Sequence, residues 1–448
     1  MAAISLGTAV NPFFLARLMR LALARSVLAS DDIVDQFGVL LLARGARMLP
    51  GHQAALAGRF LTRPLEASLQ LVDAVDTGAL VASAEQLLAN SAPLAAILRA
   101  GGDDDGRGAL ALLARARLGA PLRLLIEMSA CEADAALDDG VRVALLSAGM
   151  ARSLGLDEDG QLAACLAGLL HDIGELLLDP RCMAPGQRLA PRGWAELVTH
   201  PRLGQLLVNE LDTLPLAVGR AVAEHHERVD GSGYPHQLRG LRCSAPGQAV
   251  AAADMIAGFF DKDSPLERAE LALKIVPGEQ SRPLLAAVSN ALRNGPAAPI
   301  GTPVAVETES AGRLCTRIAA SIQQCELLLD NQPAHIRSLA NEALARIRTL
   351  ERAFVSTGLD AYLHHKHGAD GKLLFEKTVA TREIVWRLRH IARQLALHAD
   401  GSDAERRAFA ALIALLDNEV PAARVPSTAQ VTPIRPVARV HPELNRPA

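Results

Sequence analysis

The 448-residue sequence has few aromatic side chains: Phe, Tyr and Trp make up 3% of it, although half of its residues are hydrophobic. Its apolar content is therefore mostly Ala, Leu and Val, which favours helical bundles over sandwiches or barrels. The six cysteines include no C-x-x-C pair and no regular framework. Such cysteines are typical of free thiols in a reducing compartment.

A large net charge and a membrane-spanning run are also missing. The formal net charge is −3, so neither DNA nor RNA is expected as a partner. No stretch reaches the roughly 18–20 apolar residues that cross a bilayer. We therefore expect a cytoplasmic protein without a transmembrane segment.

Residues 12–28 are apolar but carry Arg17, Arg20 and Arg25, a spacing that the core of a signal peptide would not tolerate. The pattern predicts an amphipathic helix packed on its own domain. A helix lying on a membrane surface or a transit peptide is the alternative.

The pattern along the chain predicts a mainly α protein with four parts. These are a small N-terminal α/β module, a helical domain, a helical C-terminal region and a disordered tail, at 1–115, 118–300, 305–420 and 421–448. In the first part, residues 37–45 have turn residues at both ends of an apolar run, as in a hairpin strand. The acidic stretch 101–108 reads as a solvated loop. The histidine-rich residues 362–367 favour an exposed turn over a metal site, because a lysine lies among them.

The most informative motif is the ordered set His171-Asp172, His200-Pro201, His225-His226 and Asp254. Each interval within the set is long enough for one helix and its connection. Imidazoles and carboxylates spaced in this way predict a metal site assembled from several helices in a bundle core. The segment 230–235, Asp-Gly-Ser-Gly-Tyr-Pro, follows the His-His pair directly.

With that segment attached, the set resembles the HD-GYP branch of the HD-domain phosphohydrolases, over roughly residues 120–275. The resemblance implies an HD-type helical bundle and a cyclic di-GMP phosphodiesterase that acts in bacterial second-messenger signalling. It implies two divalent metal ions, iron or manganese rather than zinc, and a cyclic dinucleotide or another phosphodiester as substrate. A homodimer and a signalling partner protein are both left open.

The resemblance also implies roles for individual residues. Asp172 would be the catalytic residue that bridges two metals. His171 and Asp254 would complete the first metal site, His200 and His225 the second, and His226 is the ligand of a third metal where the family has one. Gly233, Tyr234 and Pro235 would lie at the rim of the substrate pocket.

This sequence departs from the family at several positions. Asp139 stands where the family has a histidine ligand, and Ala135 where members with three metals have a glutamate. Glu175 replaces the lysine that reaches the substrate phosphate. The arginine-containing segment expected after Asp254 is also absent, and residues 258–263 read Gly-Phe-Phe-Asp-Lys-Asp instead.

Three interpretations follow from these departures. In the first, Asp139 substitutes as an oxygen ligand, joined by Glu175 one turn from His171 and Asp172, so that two metals still bind and hydrolysis of cyclic di-GMP or another phosphoester persists. In the second, the domain is catalytically degenerate and binds a nucleotide or a protein as a signalling module. In the third, the C-terminal half of a helical interaction protein carries the function.

Overall fold

The N-terminal part combines short strands with helices. The computed structural model describes residues 6–132, 136–183, 191–295, 311–330, 332–356, 371–399 and 402–417. Its first elements are α1 (Pro12–Ala24), β1 (Val27–Ala29), β2 (Ile33–Val34), β3 (Leu40–Leu42), α2 (His52–Leu56), β4 (Leu69–Leu71), α3 (Thr77–Asn90), α4 (Ala92–Ala100) and α5 (Arg107–Ala114). Strand β1 pairs with β4 and β2 with β3, both antiparallel, with Val27 opposite Leu71 and Ile33 opposite Leu42. Strand β3 lies within the run predicted as a hairpin strand.

Helix α1 is amphipathic and packs on the body of the protein. Asn11 caps it by accepting from the backbone N–H groups of Phe13 and Phe14, as expected of an N-cap asparagine. The guanidinium of the buried Arg17 donates to the carbonyls of Leu176 and Leu178, at 3.1 and 2.8 Å. One of the three arginines of residues 12–28 therefore ties α1 to the segment around Leu176 and Leu178. Across the described ranges, no helix is both long enough and apolar enough to span a membrane.

The acidic stretch 101–108 is not wholly solvated, and the prediction of a solvated loop is wrong for Asp103. That side chain is buried. Its two carboxylate oxygens accept from the backbone N–H groups of Gly108 and Ala109, at 3.0 and 2.8 Å. Because the first N–H groups of a helix lack partners within the helix, Asp103 stabilises the start of α5.

The middle of the chain is a helical bundle. Its helices are α6 (Ala120–Ala130), α7 (Ala136–Ser153), α8 (Glu158–Leu170), α9 (Pro191–Leu197), α10 (His200–Leu211), α11 (Leu216–Glu224), α12 (Ala245–Ala257), α13 (Pro265–Lys274) and α14 (Arg282–Asn294). Helix α8 packs against α7, α11 and α12, and α10 packs against α11 and against the 3₁₀ turn Ile173–Leu177. An apolar core runs from Leu6 to Ala291 and includes residues of the N-terminal helices as well as of this bundle.

Four further helices surround a second apolar core. They are α15 (Ala311–Leu329), α16 (Ala334–Ser356), α17 (Gly371–His398) and α18 (Asp403–Leu416). Helix α17 also packs against α9 and α13 of the central bundle, which brings the C-terminal region to the segment around Tyr234. The predicted exposed turn at 362–367 and the predicted tail at 421–448 lie outside the described residues.

The buried carboxyl of Glu66 makes the stability of the N-terminal part pH-dependent. Burial raises the pKa of Glu66 to about 7, whereas the unfolded chain ionises near the ordinary value of 4.5. Since Glu66 keeps its proton to a higher pH in the folded state than in the unfolded state, the free energy of unfolding falls as pH rises from 4.5 to 7 and stays lower above pH 7. Glu66→Gln should therefore stabilise the protein at pH 8 by up to about 3 kcal/mol, and not at pH 4.5.

Thermal unfolding of both proteins at pH 5 and pH 8 checks this. The matched control is Glu85→Gln, at an exposed position of α3, which should shift the midpoint equally at the two pH values. An equal shift for Glu66→Gln at both pH values would contradict the prediction.

Candidate metal centre

Helix ends bring the predicted ligands together. His171 and Asp172 directly follow α8, His200 begins α10, and His225 and His226 follow α11. Asp254 lies near the end of α12. One ligand atom from each of Asp172, His200, His225 and His226 falls within 4.8 Å of the others.

The two oxygens of Asp172 face different groups. Oδ2 lies 3.1 Å from Nε2 of His171. Oδ1 lies 3.4 Å from Nε2 of His225 and 3.6 Å from Nε2 of His200. Asp254 is next to the first group, with Oδ1 3.8 Å from Nε2 of His171, and its Oδ2 is 3.7 Å from Nδ1 of His226.

Three of the histidines are oriented by the same kind of hydrogen bond to a backbone carbonyl. Nδ1 of His171, His200 and His225 lies 2.9, 2.7 and 2.6 Å from the backbone carbonyl three residues earlier. These carbonyls, of Gly168, Leu197 and Val222, belong to the last turns of α8, α9 and α11, where a helix leaves carbonyls without intrahelical partners. Since a carbonyl only accepts, each Nδ1 carries a proton, and in the neutral form of each ring Nε2 presents its lone pair to the centre.

This tautomer makes the site fit a cation. Nε2 of His200 and Nε2 of His225 are 3.1 Å apart, and with both protons on Nδ1 neither nitrogen can donate to the other. Two lone pairs at that distance repel unless a positive charge lies between them. Neutral imidazoles together with a carboxylate are the donor set of iron, manganese and zinc sites. The residues present therefore fit a divalent metal ion.

The protonation equilibria differ among the histidines of the centre. Burial lowers the pKa of His171, but the charge of Asp172 and its hydrogen bond outweigh burial and raise that pKa to about 10. Farther from a carboxylate, burial and the neighbouring His225 lower the pKa of His200 to about 4. Burial also holds the pKa of His226 well below its ordinary value. His200 and His226 are thus neutral, ligand-competent imidazoles at neutral pH.

The Gly-Tyr-Pro segment lies against the metal centre and is covered by α17. The Tyr234 ring is 4.6 Å from the His226 ring and stacks on His390 of α17 at 5.6 Å. Gln394 of the same helix donates to the carbonyl of Gly233 at 3.3 Å. Gly233 and Tyr234 line a cavity of about 300 Å³ together with α17, and the cis bond Tyr234–Pro235 follows.

The two glycines of this segment are needed for different reasons. Gly231 has a φ of +83°, the left-handed region that favours glycine. Gly233 does not: a Cβ there would lie 2.4 Å from the carbonyl oxygen of His226. Its requirement is close contact with the chain after α11.

The residues that differ from the family pattern lie on another side of the centre. Asp139 and Glu175 line a cavity of about 370 Å³ together with His171, Asp172 and Asp254. The Asp139 side chain is half exposed and forms an ion pair with Arg142, so it is near the centre without joining the cluster around Asp172. Burial and the charge of Asp172 raise the pKa of Glu175 to about 8. Ala135 lies outside the described residues.

Sequence reasoning missed the residues that the C-terminal region adds. Trp386 and His390 of α17 line the cavity at Tyr234, and Arg346 of α16 donates to the carbonyl of Ser232 at 2.9 Å. The buried ring of Trp194 contacts both Tyr234 and His390. No sequence motif marks these residues. A different residue, Lys262 in the atypical segment 258–263, could be noticed in the sequence as a cation shortly after Asp254.

Comparisons with known proteins agree with the geometry. Residues 123–272 match the HD domain family. A 3'3'-cGAMP-specific phosphodiesterase of Vibrio cholerae is 33% identical over 25% of this chain and 26% of its own length. A cyclic di-GMP phosphodiesterase of Thermotoga maritima is 29% identical over 32% of this chain and 40% of its own length. One from Pseudomonas aeruginosa is 34% identical over 26% of this chain and 28% of its own length.

The chain thus spans between a quarter and two fifths of the length of these relatives. Among solved structures, Bd1817, an HDG"Y"P protein from Bdellovibrio bacteriovorus, is 20% identical over 48% of this chain and 68% of its own, with a TM-score of 0.31. The sequence matches and the helical bundle together show that residues 123–272 are an HD domain whose relatives are HD-GYP-type cyclic dinucleotide phosphodiesterases.

Proposed function

We propose that this protein is a metal-dependent phosphodiesterase that hydrolyses cyclic di-GMP or a closely related cyclic dinucleotide. The observation that carries the proposal is the cluster of Asp172, His200, His225 and His226, with ligand atoms within 4.8 Å of one another. The names of the relatives support the substrate class.

The residues divide naturally into two metal-binding groups. Asp172 would give one oxygen to each of two cations, with His171 and Asp254 holding the first and His200 and His225 the second. His226 lies beside both groups. Divalent cations there would lower the pKa of a water and neutralise charge on the phosphoryl oxygens. The all-nitrogen-and-oxygen donor set, without cysteine, suits iron, manganese or zinc, and the resemblance to the family favours iron or manganese.

The chain's own residues would orient the substrate. Burial raises the pKa of Tyr234 well above its ordinary value, so its hydroxyl keeps its proton and can donate to a substrate oxygen. Gly233 brings the backbone close to the chain after α11, which places Tyr234 beside His226. Pro235 fixes the direction in which the chain leaves the site.

The direct test is hydrolysis by protein purified without oxygen. Its iron and manganese content should be measured, and cyclic di-GMP and 3'3'-cGAMP should be incubated with the protein and added Mn²⁺ or Fe²⁺. We expect the linear dinucleotide or mononucleotides as products. Protein that is filled with metal and leaves both compounds intact would overturn the enzyme proposal.

A second candidate is a catalytically degenerate signalling module. It is favoured by Asp139, which is paired with Arg142, and by Glu175, a carboxylate where the family has a phosphate-binding lysine. The hydrolysis test separates the two: a degenerate module would bind metal or nucleotide and release no product.

Glu175→Lys distinguishes the roles of this position. We expect the variant to keep its metal, since the family holds two metals with a lysine at this position, and to hydrolyse no faster, since its ammonium would pair with the carboxylates of Asp172 and Asp254 in the cavity that they share. Glu175→Gln, which adds no charge, is the matched control and should keep its metal. Metal content and kcat/KM measure both. Full metal content with a raised kcat/KM in Glu175→Lys would mean that the phosphate binds on the Glu175 side.

A further inference from the structure

The cavity on the Glu175 side of the metal centre is strongly acidic. Its lining includes six acidic side chains, from Glu132, Asp139, Asp172, Glu175, Asp254 and Asp261, of which Glu175, with its pKa raised to about 8, is largely protonated at neutral pH. The cations of the lining are His171 and Arg17, and Arg17 already donates to the carbonyls of Leu176 and Leu178 and lies 3.4 Å from Glu132. This side repels an anion, so a phosphate group would reach the centre more favourably from elsewhere.

The opposite side, toward α17, carries cations. A cavity of about 240 Å³ there is lined by His226 and Asp254 of the metal centre and by Lys262 and Arg382. Within the described residues, neither Lys262 nor Arg382 forms an ion pair. Glu383, the other carboxylate of this cavity, is held by Arg387 at 2.9 Å. Two cations without carboxylate partners thus lie beside two candidate metal ligands.

An exposed indole lies next to these cations. Trp386 is one turn after Arg382 on α17, and its side chain is 45% exposed. It stacks on His390 with an interplanar angle of 14° and a centroid distance of 5.8 Å. Trp386 lines this cavity and also the larger cavity at Tyr234, so it forms a wall shared by both. Flat aromatic side chains beside phosphate-binding cations are a recurrent way to bind nucleotides.

We propose that Lys262 and Arg382 bind the phosphate of a nucleotide phosphodiester and that Trp386 stacks on its base. The ligand would enter from the α17 side. The family's phosphate-binding cations are missing after His171-Asp172 and in part after Asp254. Arg382, from the C-terminal helical region outside residues 123–272, would then supply part of that positive charge. The assignment rests on the proposed function only for the statement that the bound ligand is hydrolysed.

Binding can be measured without hydrolysis. The chain has two tryptophans, so Trp194→Phe leaves Trp386 as the sole indole. With metal removed by a chelator, titration with cyclic di-GMP should quench its fluorescence to saturation. In this background, Arg382→Ala and Lys262→Ala should each raise Kd about tenfold and weaken its dependence on salt. Lys377→Ala is the matched control: the residue is on α17 and lines neither cavity, and its removal should change Kd little.

Calorimetric titration extends the test to Trp386→Ala, which carries no fluorescent reporter. Loss of the stacking platform should raise Kd about tenfold or more, and Trp386→Phe should recover part of the affinity. Thermal unfolding midpoints like that of the parent protein show that each variant is folded. Equal Kd values for Arg382→Ala, Lys262→Ala and Lys377→Ala would overturn the proposal, as would the absence of quenching.

The outcomes also separate this inference from the proposed function. Binding that depends on Arg382 and Trp386, without hydrolysis by metal-filled protein, supports the ligand site and contradicts only the enzyme proposal. Hydrolysis of cyclic di-GMP with kcat/KM unchanged in Arg382→Ala and Trp386→Ala supports the enzyme and overturns the ligand site.

Discussion

Asp172→Ala should lose both bound metal and hydrolysis of cyclic di-GMP, with activity falling more than about 100-fold. Both oxygens of Asp172 face histidine nitrogens, Oδ2 toward His171 and Oδ1 toward His200 and His225. Removing the carboxylate takes the shared anionic ligand from both groups at once, and a single remaining imidazole group holds a divalent cation weakly. Metal content by elemental analysis and initial hydrolysis rates measure the effect.

A matched control shows that the loss is specific. Asp159→Ala removes an acid from α8, the helix that leads into Asp172, at a position where the side chain is 92% exposed. It should keep wild-type metal content and rate. If Asp172→Ala retains its metal, the proposed bridging role is wrong, and the cation would be held by the imidazoles and Asp254 alone.

The spacing of the ligand motif was sufficient to predict the helical bundle and the convergence of the ligand elements. Each interval between His171-Asp172, His200 and His225 has room for helical structure, and the structure places these residues at helix ends, with α10 and α11 both lying between His200 and His225. The spacing could not predict the tautomer of the three histidines. The tautomer depends on contacts with the carbonyls of Gly168, Leu197 and Val222, and the positions of these carbonyls depend on where each helix ends.

The contribution of the C-terminal region could not be predicted. Its helices were visible from their periodicity, but amphipathic periodicity identifies the buried face of a helix and not the partner it packs against. That α17 lies over Tyr234 follows from its packing on α9 and α13. A local motif therefore indicated the candidate metal centre, while the residues around the two cavities that Trp386 lines depend on long-range packing.

The charge distribution around the centre gives the departures from the family a common explanation. Glu175 in place of lysine leaves one side, which is lined by several carboxylates, without that cation, and Lys262 and Arg382 make the other side basic. A charge-reversing residue at one position is damaging only if the anion still approaches there. If the nucleotide ligand enters from the α17 side, Glu175 lies on the opposite side of the metal centre. A carboxylate at that position attracts cations and does not meet the phosphate.

Gly174→Ala should disrupt the metal centre without changing any ligand. A Cβ at this position would lie 2.1 Å from the carbonyl oxygen of His200 and 2.6 Å from the backbone nitrogen of Gly204, so the 3₁₀ turn Ile173–Leu177 would have to move away from α10. Overpacking of side chains costs about 1–3 kcal/mol, and contact with rigid backbone should reach the upper end of that range. The movement would also separate Asp172 from His200 and His225.

We therefore expect Gly174→Ala to lower the unfolding midpoint and to weaken Mn²⁺ binding at least about tenfold, measured by thermal unfolding and by metal titration. Gly51→Ala is the matched control, since a Cβ there meets nothing within 4 Å and its φ of −61° suits alanine. It should leave both values unchanged. Wild-type Mn²⁺ affinity in Gly174→Ala would contradict the prediction, because the contact between the turn and α10 would then not be what positions Asp172 for metal binding.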